Sequence, residues 1–468
     1  VNTGPKWLEV QIKAQHFNVR DQMLLNLAPN SFRSGHLLVL GILPVMSGEK
    51  TSAMLRGVIE ARDAFRDIMD ETPLSRNAYL SDRYGANIYL KREDLTPVRS
   101  YKIRGAFNFF RKAIRDSDTP ELSFVCASAG NHAQGFAFAC SHFKKTGVIF
   151  MPVTTPQQKI MKTESFGGAF IQVKLIGDTF DECYAAAHEH AEAHQAKMVP
   201  PFDHADIIEG QATVGLEILN DQTLGPIDLM IVPVGGGGLS AGLVQVFKEL
   251  SPDTEFIFVE PEGAPSLKAS LKAGERANLA TINSFVDGAA VGKIGALNFS
   301  HLKVQSPDAV LLANEDSLCE TIIEMLNVEG TVLEPAGALA IEALRHLPSE
   351  RIAGKTIVCV TSGGNFDFER LPEVKERALK SAGLKKFFIL RLPQRPGALR
   401  DFLDILGPHD DITRFEYLKK SARNFGSVLI GIESSSADEF QALLLRMDDL
   451  GFTYQDITHD ENIANFIL

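Results

Sequence analysis

From about Thr51 onward the chain alternates amphipathic helical stretches with short, β-branched apolar runs. The runs fall at 87–90, 123–127, 147–151, 170–175, 228–234, 255–260, 309–312 and 356–360. Short strands separated by helices of about ten or more residues predict parallel sheets joined by right-handed crossovers, an α/β architecture. Many of the runs end directly in a glycine-rich or polar turn. Open α/β sheets bind ligands beyond the carboxyl ends of their strands, which directs attention to the loops at 92–105, 127–135, 235–242 and 361–367.

Beyond Pro372 the rhythm changes. Residues 374–383 read as a charged, helix-like linker. Strands are expected at 387–392, 412–419 and 427–432, helices at 395–406 and 437–450, and a turn at 421–426. A β-α-β-β-α order within about 80 residues is the α+β, ferredoxin-like signature.

Length supports the division. At 468 residues the chain exceeds the roughly 250–300 at which one hydrophobic core stops growing. Lys plus Arg number 47 against 59 Asp plus Glu, a net charge of −12. That balance offers no basic face for phosphate neutralisation, so a nucleic-acid partner is not expected. The apolar stretch at 36–46 is far short of the roughly 20 residues that span a bilayer, so no membrane partner is expected. Cys126, Cys140, Cys183, Cys319 and Cys359 are odd in number, scattered and without a CxxC. They read as reduced, buried thiols of a cytoplasmic protein.

Four loops carry chemistry. Gly235, Gly236, Gly237, Gly238 and Leu239 follow an apolar strand and lead into a helix at 240–249. Consecutive glycines let the backbone approach an anion and turn its N–H groups toward it at a helix start, which points to a phosphate site. The same residues satisfy the loose G-x-G-x-x-A dinucleotide fingerprint, and Glu260 ends the next strand where a ribose-binding acid would lie. Alone, this stretch supports a nicotinamide oxidoreductase. Lys102 points elsewhere. It stands just before an apolar helix at 106–114, where the macrodipole disfavours a cation, and a lysine that sheds its proton easily suits Schiff-base chemistry. Ser128, Ala129, Gly130, Asn131 and His132 form another strand-to-helix turn suited to a carboxylate, and the Asn131 amide offers a further hydrogen bond. Ser362 supplies a hydroxyl at the same sheet edge. His190 and His194 share a helix face, but no third ligand is evident and the run reads as a solvated face with no metal.

With these loops assembled, the chain resembles the fold-type II pyridoxal-phosphate enzymes. It is most similar to the short form of the biosynthetic threonine dehydratases (threonine ammonia-lyases), with one ACT-like unit. The resemblance rests on KREDLTPVRSYKIRGAFN, CASAGNHAQGFA, PVGGGGLSAG, EPAGALA and CVTSGGN. It implies two open, mostly parallel α/β lobes over residues 51–380 and an ACT-like regulatory domain over 381–468, after a poorly ordered extension at 1–50. It further implies Lys102 as the Schiff-base lysine and Gly235 to Leu239 around the cofactor phosphate. Asn131 falls at the pyridine 3′-oxygen, Ser362 faces the pyridine nitrogen, and Ser128 to His132 hold the substrate carboxylate. The implied reaction is α,β-elimination of L-threonine to 2-oxobutanoate and ammonia, the committed step to isoleucine, with L-serine a secondary substrate. Isoleucine is the implied effector, opposed by valine, and the implied assembly is a cytoplasmic homotetramer. Serine dehydratases and serine racemases share related motifs and are the alternative within the class. Some relatives bind a cation near the acid matching Glu260, which otherwise reads as a strand-end carboxylate.

Overall fold

The computed structural model describes residues 51–119, 121–418 and 424–460. The expected extension at 1–50, its apolar stretch at 36–46, residue 419 of the strand expected at 412–419 and residues 421–423 of the turn expected at 421–426 lie outside these residues.

Fourteen strands are seen among the described residues: β1 (Leu74–Arg76), β2 (Asn87–Arg92), β3 (Phe124–Ala127), β4 (Gly147–Met151), β5 (Ile171–Leu175), β6 (Lys197–Met198), β7 (Leu229–Pro233), β8 (Glu255–Pro261), β9 (Val310–Ala313), β10 (Thr356–Thr361), β11 (Lys385–Pro393), β12 (Asp411–Leu418), β13 (Phe425–Glu433) and β14 (Thr453–Asp456). They form three sheets, ordered β1-β2-β10-β7-β8-β9, β5-β4-β3-β6 and β12-β13-β11-β14. The four-stranded β5-β4-β3-β6 sheet is wholly parallel, and in the six-stranded sheet only the β1 edge is antiparallel. All eight strands expected before residue 372 are present. The edge strands β1 and β6 were not foreseen, because three and two residues are too few to carry a period.

The strand runs are continuously apolar because both faces of the large sheet are covered. Side chains alternate between two cores. Leu229, Ile231, Ile257, Val259, Ile357 and Cys359 face one, while Met230, Val232, Phe256, Phe258, Val358 and Val360 face the other. The third sheet is buried on one face only. Phe388, Leu390, Leu392, Val428, Ile430 and Ile432 pack against Phe402, Phe440, Leu443 and Met447. Strand β14 extends the expected order to β-α-β-β-α-β. The helix expected at 395–406 shrinks to Ala398–Leu403, since Gly397 at its start has φ 88°. The supposed linker is the helix Leu371–Ser381, whose Val374 and Ala378 belong to a core of the large sheet. An apolar pair one helical turn apart docks it there. All five cysteines are buried and unpaired, and among the described residues no helix is long and apolar enough to cross a membrane.

One buried ion network fixes the helix Lys102–Arg115 between the sheets. Arg104, fully buried, reaches Glu93 at 2.7 and 2.8 Å, Glu217 at 2.5 and 2.9 Å, and Thr213 Oγ1 at 2.9 Å. Lys91 Nζ donates to Glu217 at 2.5 Å and to the Thr72 carbonyl at 2.7 Å. Two acids and two bases balance. Burial opposes ionisation of Glu217, yet Arg104 and Lys91 hold it well below the usual carboxylate range. Removing one member leaves a dry charge unpaired. Arg104→Met should therefore cost about 3–5 kcal/mol of stability, read as a lower denaturation midpoint in urea.

Candidate active site

Lys102 is the first residue of its helix, four positions earlier than the apolar pattern suggested. It therefore stands at the positive end of the macrodipole. Its Nζ donates to the Pro201 carbonyl at 2.9 Å and lies 5.4 Å from the Tyr101 ring centroid and 5.9 Å from that of Phe202. Among the described residues no carboxylate is ion-paired with it. Burial pushes the ammonium down to about 8, an effect that the charge of Glu334 opposes. The helix Asn131–Phe143 comes up behind it at Gly135, where a Cβ would sit 3.1 Å from the Lys102 carbonyl carbon and oxygen.

The loop carrying Lys102 is stitched to the loop after β10. Ser100 and Gly363 form an antiparallel bridge, and Tyr101 N–H donates to the Ser362 carbonyl at 3.2 Å. Gly364 N–H donates to the Arg99 carbonyl at 2.9 Å, with Arg99 held at φ 56°. Ser362 is buried and its hydroxyl donates to the Ala336 carbonyl at 3.1 Å. The glycine loop leaves β7 and starts the helix Gly238–Leu250, two residues earlier than expected. Gly237 has φ 89° at the cap. A Cβ at Gly236 would run into the Phe202 ring, and one at Gly235 would lie 3.0 Å from Ala289 Cα. Asn298 Nδ2 donates to the Gly236 carbonyl at 2.7 Å. Leu239 packs into the core, so it contributes backbone alone.

Asn131 begins its helix with both ends of its amide hydrogen-bonded. Its Nδ2 donates to Glu334 Oε1 at 2.6 Å, and its Oδ1 accepts from Asn365 Nδ2 at 2.6 Å. Glu334 is buried. Burial, then the charge of Asp287, push its carboxyl up to about 7 against the Asn131 hydrogen bond. His132 pairs Nε2 with the Val199 carbonyl at 3.0 Å. Burial and the Lys102 charge push its imidazole down to about 3, so the ring is neutral and committed. Any contact with a carboxylate falls to the backbone N–H groups and hydroxyl of this turn.

A cleft of about 1490 Å³ gathers these parts. Lys102, Ser128, Ala129, Gly130, Asn131, His132 and Gly236 line it, together with the segment 278–293, Glu334 and Asn365. Gly235, Gly237, Gly238, Leu239 and Ser362 are not part of this lining. Sequence reasoning missed the cleft role of 278–293, which has no periodic pattern. It quoted Glu334 and Asn365 only as parts of motifs.

Two features weighed on sequence have other duties. Glu260 is buried and caps the helix Ser266–Ala273, accepting from Leu267 N–H at 2.7 Å, Lys268 N–H at 2.9 Å and Ser266 Oγ at 3.4 Å. Its oxygens are occupied, which removes the ribose contact a nicotinamide enzyme needs. His190 and His194 stack on one another with centroids 4.0 Å apart. Among the described residues no group of three or more His, Cys, Asp or Glu is placed to hold a metal.

The residues present fit pyridoxal phosphate. A half-buried amine that loses its proton readily suits an aldehyde, a helix start free of side chains suits a phosphate, and the Ser362 hydroxyl suits a ring nitrogen. Two open α/β lobes meeting over such an amine are the architecture of a fold-type II pyridoxal-phosphate enzyme. Comparison with known proteins agrees. The pyridoxal-phosphate dependent enzyme family matches residues 66–363, and the C-terminal regulatory domain of threonine dehydratase matches 376–467. The biosynthetic L-threonine dehydratase IlvA of Bacillus subtilis (strain 168) is 46% identical over 421 residues, 90% of this chain and 99% of that protein. Its namesake in Halalkalibacterium halodurans is 45% identical over 417 residues, covering 88% and 99%. The processed form of threonine deaminase isoform 2 from Solanum lycopersicum superposes with a TM-score of 0.64 at 38% identity, over 70% of this chain and 94% of that one. The chain belongs to the biosynthetic threonine dehydratase family of pyridoxal-phosphate-dependent enzymes.

The depressed lysine is directly testable. In cofactor-free protein, brief acylation of Lys102 should rise with pH through a midpoint near 8, whereas an ordinary lysine titrates at 10.5. Site-resolved mass spectrometry reads the difference.

Proposed function

We propose that this chain deaminates L-threonine to 2-oxobutanoate and ammonia by α,β-elimination, with L-serine as a secondary substrate. The observation that carries the reading is the Lys102 amine, half-buried at a helix start, with no ion-pair partner among the described residues and lining the same cleft as Gly236 of the glycine loop. Pyridoxal phosphate, when bound, supplies a conjugated ring that accepts the electrons left at the substrate Cα. Lys102 would hold the cofactor through its amine at rest and, when free, would take the Cα proton as general base. Gly235 to Leu239 present helix-start N–H groups to the phosphate. Asn131 donates to the 3′-oxygen, and the turn from Ser128 to His132 holds the substrate carboxylate. Ser362 would turn its hydroxyl from the Ala336 carbonyl to the ring nitrogen, where a carboxylate would keep that nitrogen protonated. A weaker electron sink favours prompt loss of the β-hydroxyl over transamination. Serine lacks only the threonine methyl group, and an apolar pocket discriminates one methyl by about 10–200-fold.

Regulation by isoleucine, opposed by valine, is the reading for the C-terminal module, in a cytoplasmic homotetramer. The match of residues 376–467 to a regulatory domain supports it. So does the path from that module to the cleft. Lys385 at the start of β11 pairs with Glu376 of the helix Leu371–Ser381 at 2.7 Å. From that helix the Arg377 guanidinium lies over the Phe285 ring at 4.4 Å, and Arg370, its N-terminal neighbour, at 4.6 Å. Phe285 belongs to the cleft-lining segment.

Lys102→Ala should abolish 2-oxobutanoate release from threonine, and near-normal turnover in that variant would remove the reading. Isoleucine should inhibit the full chain. Arg377→Met should raise the isoleucine needed for half-inhibition by about fivefold or more, with kcat little changed and isoleucine binding retained by calorimetry.

A further inference from the structure

The proposed reaction leaves one buried acid of the cleft wall without a task. Glu334 precedes the helix Pro335–His346, and its carboxyl terminates a chain of side-chain hydrogen bonds that runs in one direction. Lys162 Nζ donates to Asn365 Oδ1. Asn365 Nδ2 donates to the Val98 carbonyl at 2.9 Å and to Asn131 Oδ1 at 2.6 Å. Asn131 Nδ2 then donates to Glu334 Oε1 at 2.6 Å. Both ends are chemically committed, because a lysine ammonium only donates and a backbone carbonyl only accepts. Together they fix which way the Asn365 amide points, and Asn365 in turn presents a donor to Asn131.

Turning the Asn131 amide over would set donor against donor at Asn365 and lone pair against carboxylate at Glu334. The observed orientation is the one both partners accept. It leaves the second Nδ2 hydrogen as the remaining donor of an amide whose residue lines the cleft. Close packing protects the arrangement, for a Cβ at Gly363 would run into the Glu334 carboxyl, and one at Gly288 would lie 2.8 Å from Ala336 Cβ.

We infer that Glu334 is a positioning residue for cofactor recognition: as the terminal acceptor of this chain it makes Asn131 present an N–H to the 3′-oxygen of the cofactor. The inference rests on the reading that Asn131 contacts that oxygen. Glu334 acts through Asn131 and touches neither substrate nor cofactor in this role.

The test uses the full chain and reads the apparent dissociation constant of pyridoxal phosphate and the absorption maximum of the bound cofactor, alongside kcat and KM. Asn131→Ala and Glu334→Leu should each weaken pyridoxal phosphate by about tenfold, the worth of a hydrogen bond to a charged group, and shift the absorption maximum in the same sense. The double variant should be no worse than Asn131→Ala, because both changes remove one contact. Glu334→Gln keeps an acceptor oxygen and should stay within about twofold of the parent protein in both readouts. Where Glu334→Leu fails to fold, Glu334→Gln and Asn365→Ala serve, the latter shifting the absorption maximum in the direction of Asn131→Ala. A parent-like affinity and spectrum in Glu334→Leu beside an altered Asn131→Ala would overturn the inference and leave the Asn131 reading standing. No change in Asn131→Ala would overturn both. Additive losses in the double variant, a Glu334→Gln as impaired as Glu334→Leu, or a parent-like spectrum in Asn365→Ala would each overturn the positioning role.

Discussion

The four-charge network around Arg104 is the constraint on which the active site depends. Lys102 and Arg104 stand two positions apart at the start of one helix, and the fold treats them in opposite ways. Arg104 is enclosed by Glu93 and Glu217, with Lys91 completing the balance, so its charge is retained in a dry place. Lys102 receives a single backbone carbonyl, and its charge is thereby made expensive. A buried ion pair does not by itself stabilise a fold, but it holds its members to one geometry because separation leaves each uncompensated. Here that geometry points the neighbouring amine into the cleft.

Around this helix the two lobes bring their loops to a common rim. The loop after β10 is bridged to the residues just before Lys102, the glycine loop after β7 is held against Phe202 and Ala289, and the loop after β3 meets Glu334 across the cleft through Asn131. Each loop follows the carboxyl end of a parallel strand, where the fold leaves backbone groups unpaired and helix starts exposed. The net charge of −12 is irrelevant at this scale. An anion site is built from backbone N–H groups and a helix end, and both are indifferent to the sign of the whole surface.

Much of this was legible in the chain. The central strands β7, β8 and β10 were readable because a strand buried on both faces is a continuous apolar run, and the loops that follow them because they interrupt such runs with glycine or polar residues. The reading failed where pattern carries no information. Strands β1 and β6 are too short to have a period. The helix Leu371–Ser381 looked like a linker because its charged residues outnumber Val374 and Ala378, yet those two residues dock it. Glu260 fitted a ribose-binding spacing, and only three-dimensional proximity revealed that Leu267 and Lys268 already occupy its oxygens. KRED read as part of a motif without a role. In the fold Lys91 pairs with Glu217 from a distant segment, and Glu93 pairs with Arg104 of the same motif.

By itself the sequence determined the alternation of strand and helix and which residues stand at the strand-to-helix turns, since each depends on residues adjacent in the chain. The tertiary structure decided what those residues experience. Whether Lys102 is an ordinary ammonium or a poised amine depends on burial against Pro201, Phe202 and Tyr101. Which way the Asn131 amide faces depends on Asn365 and Glu334, more than two hundred residues away. Desolvation and hydrogen-bond direction are properties of assembled neighbours, and no local spacing encodes them.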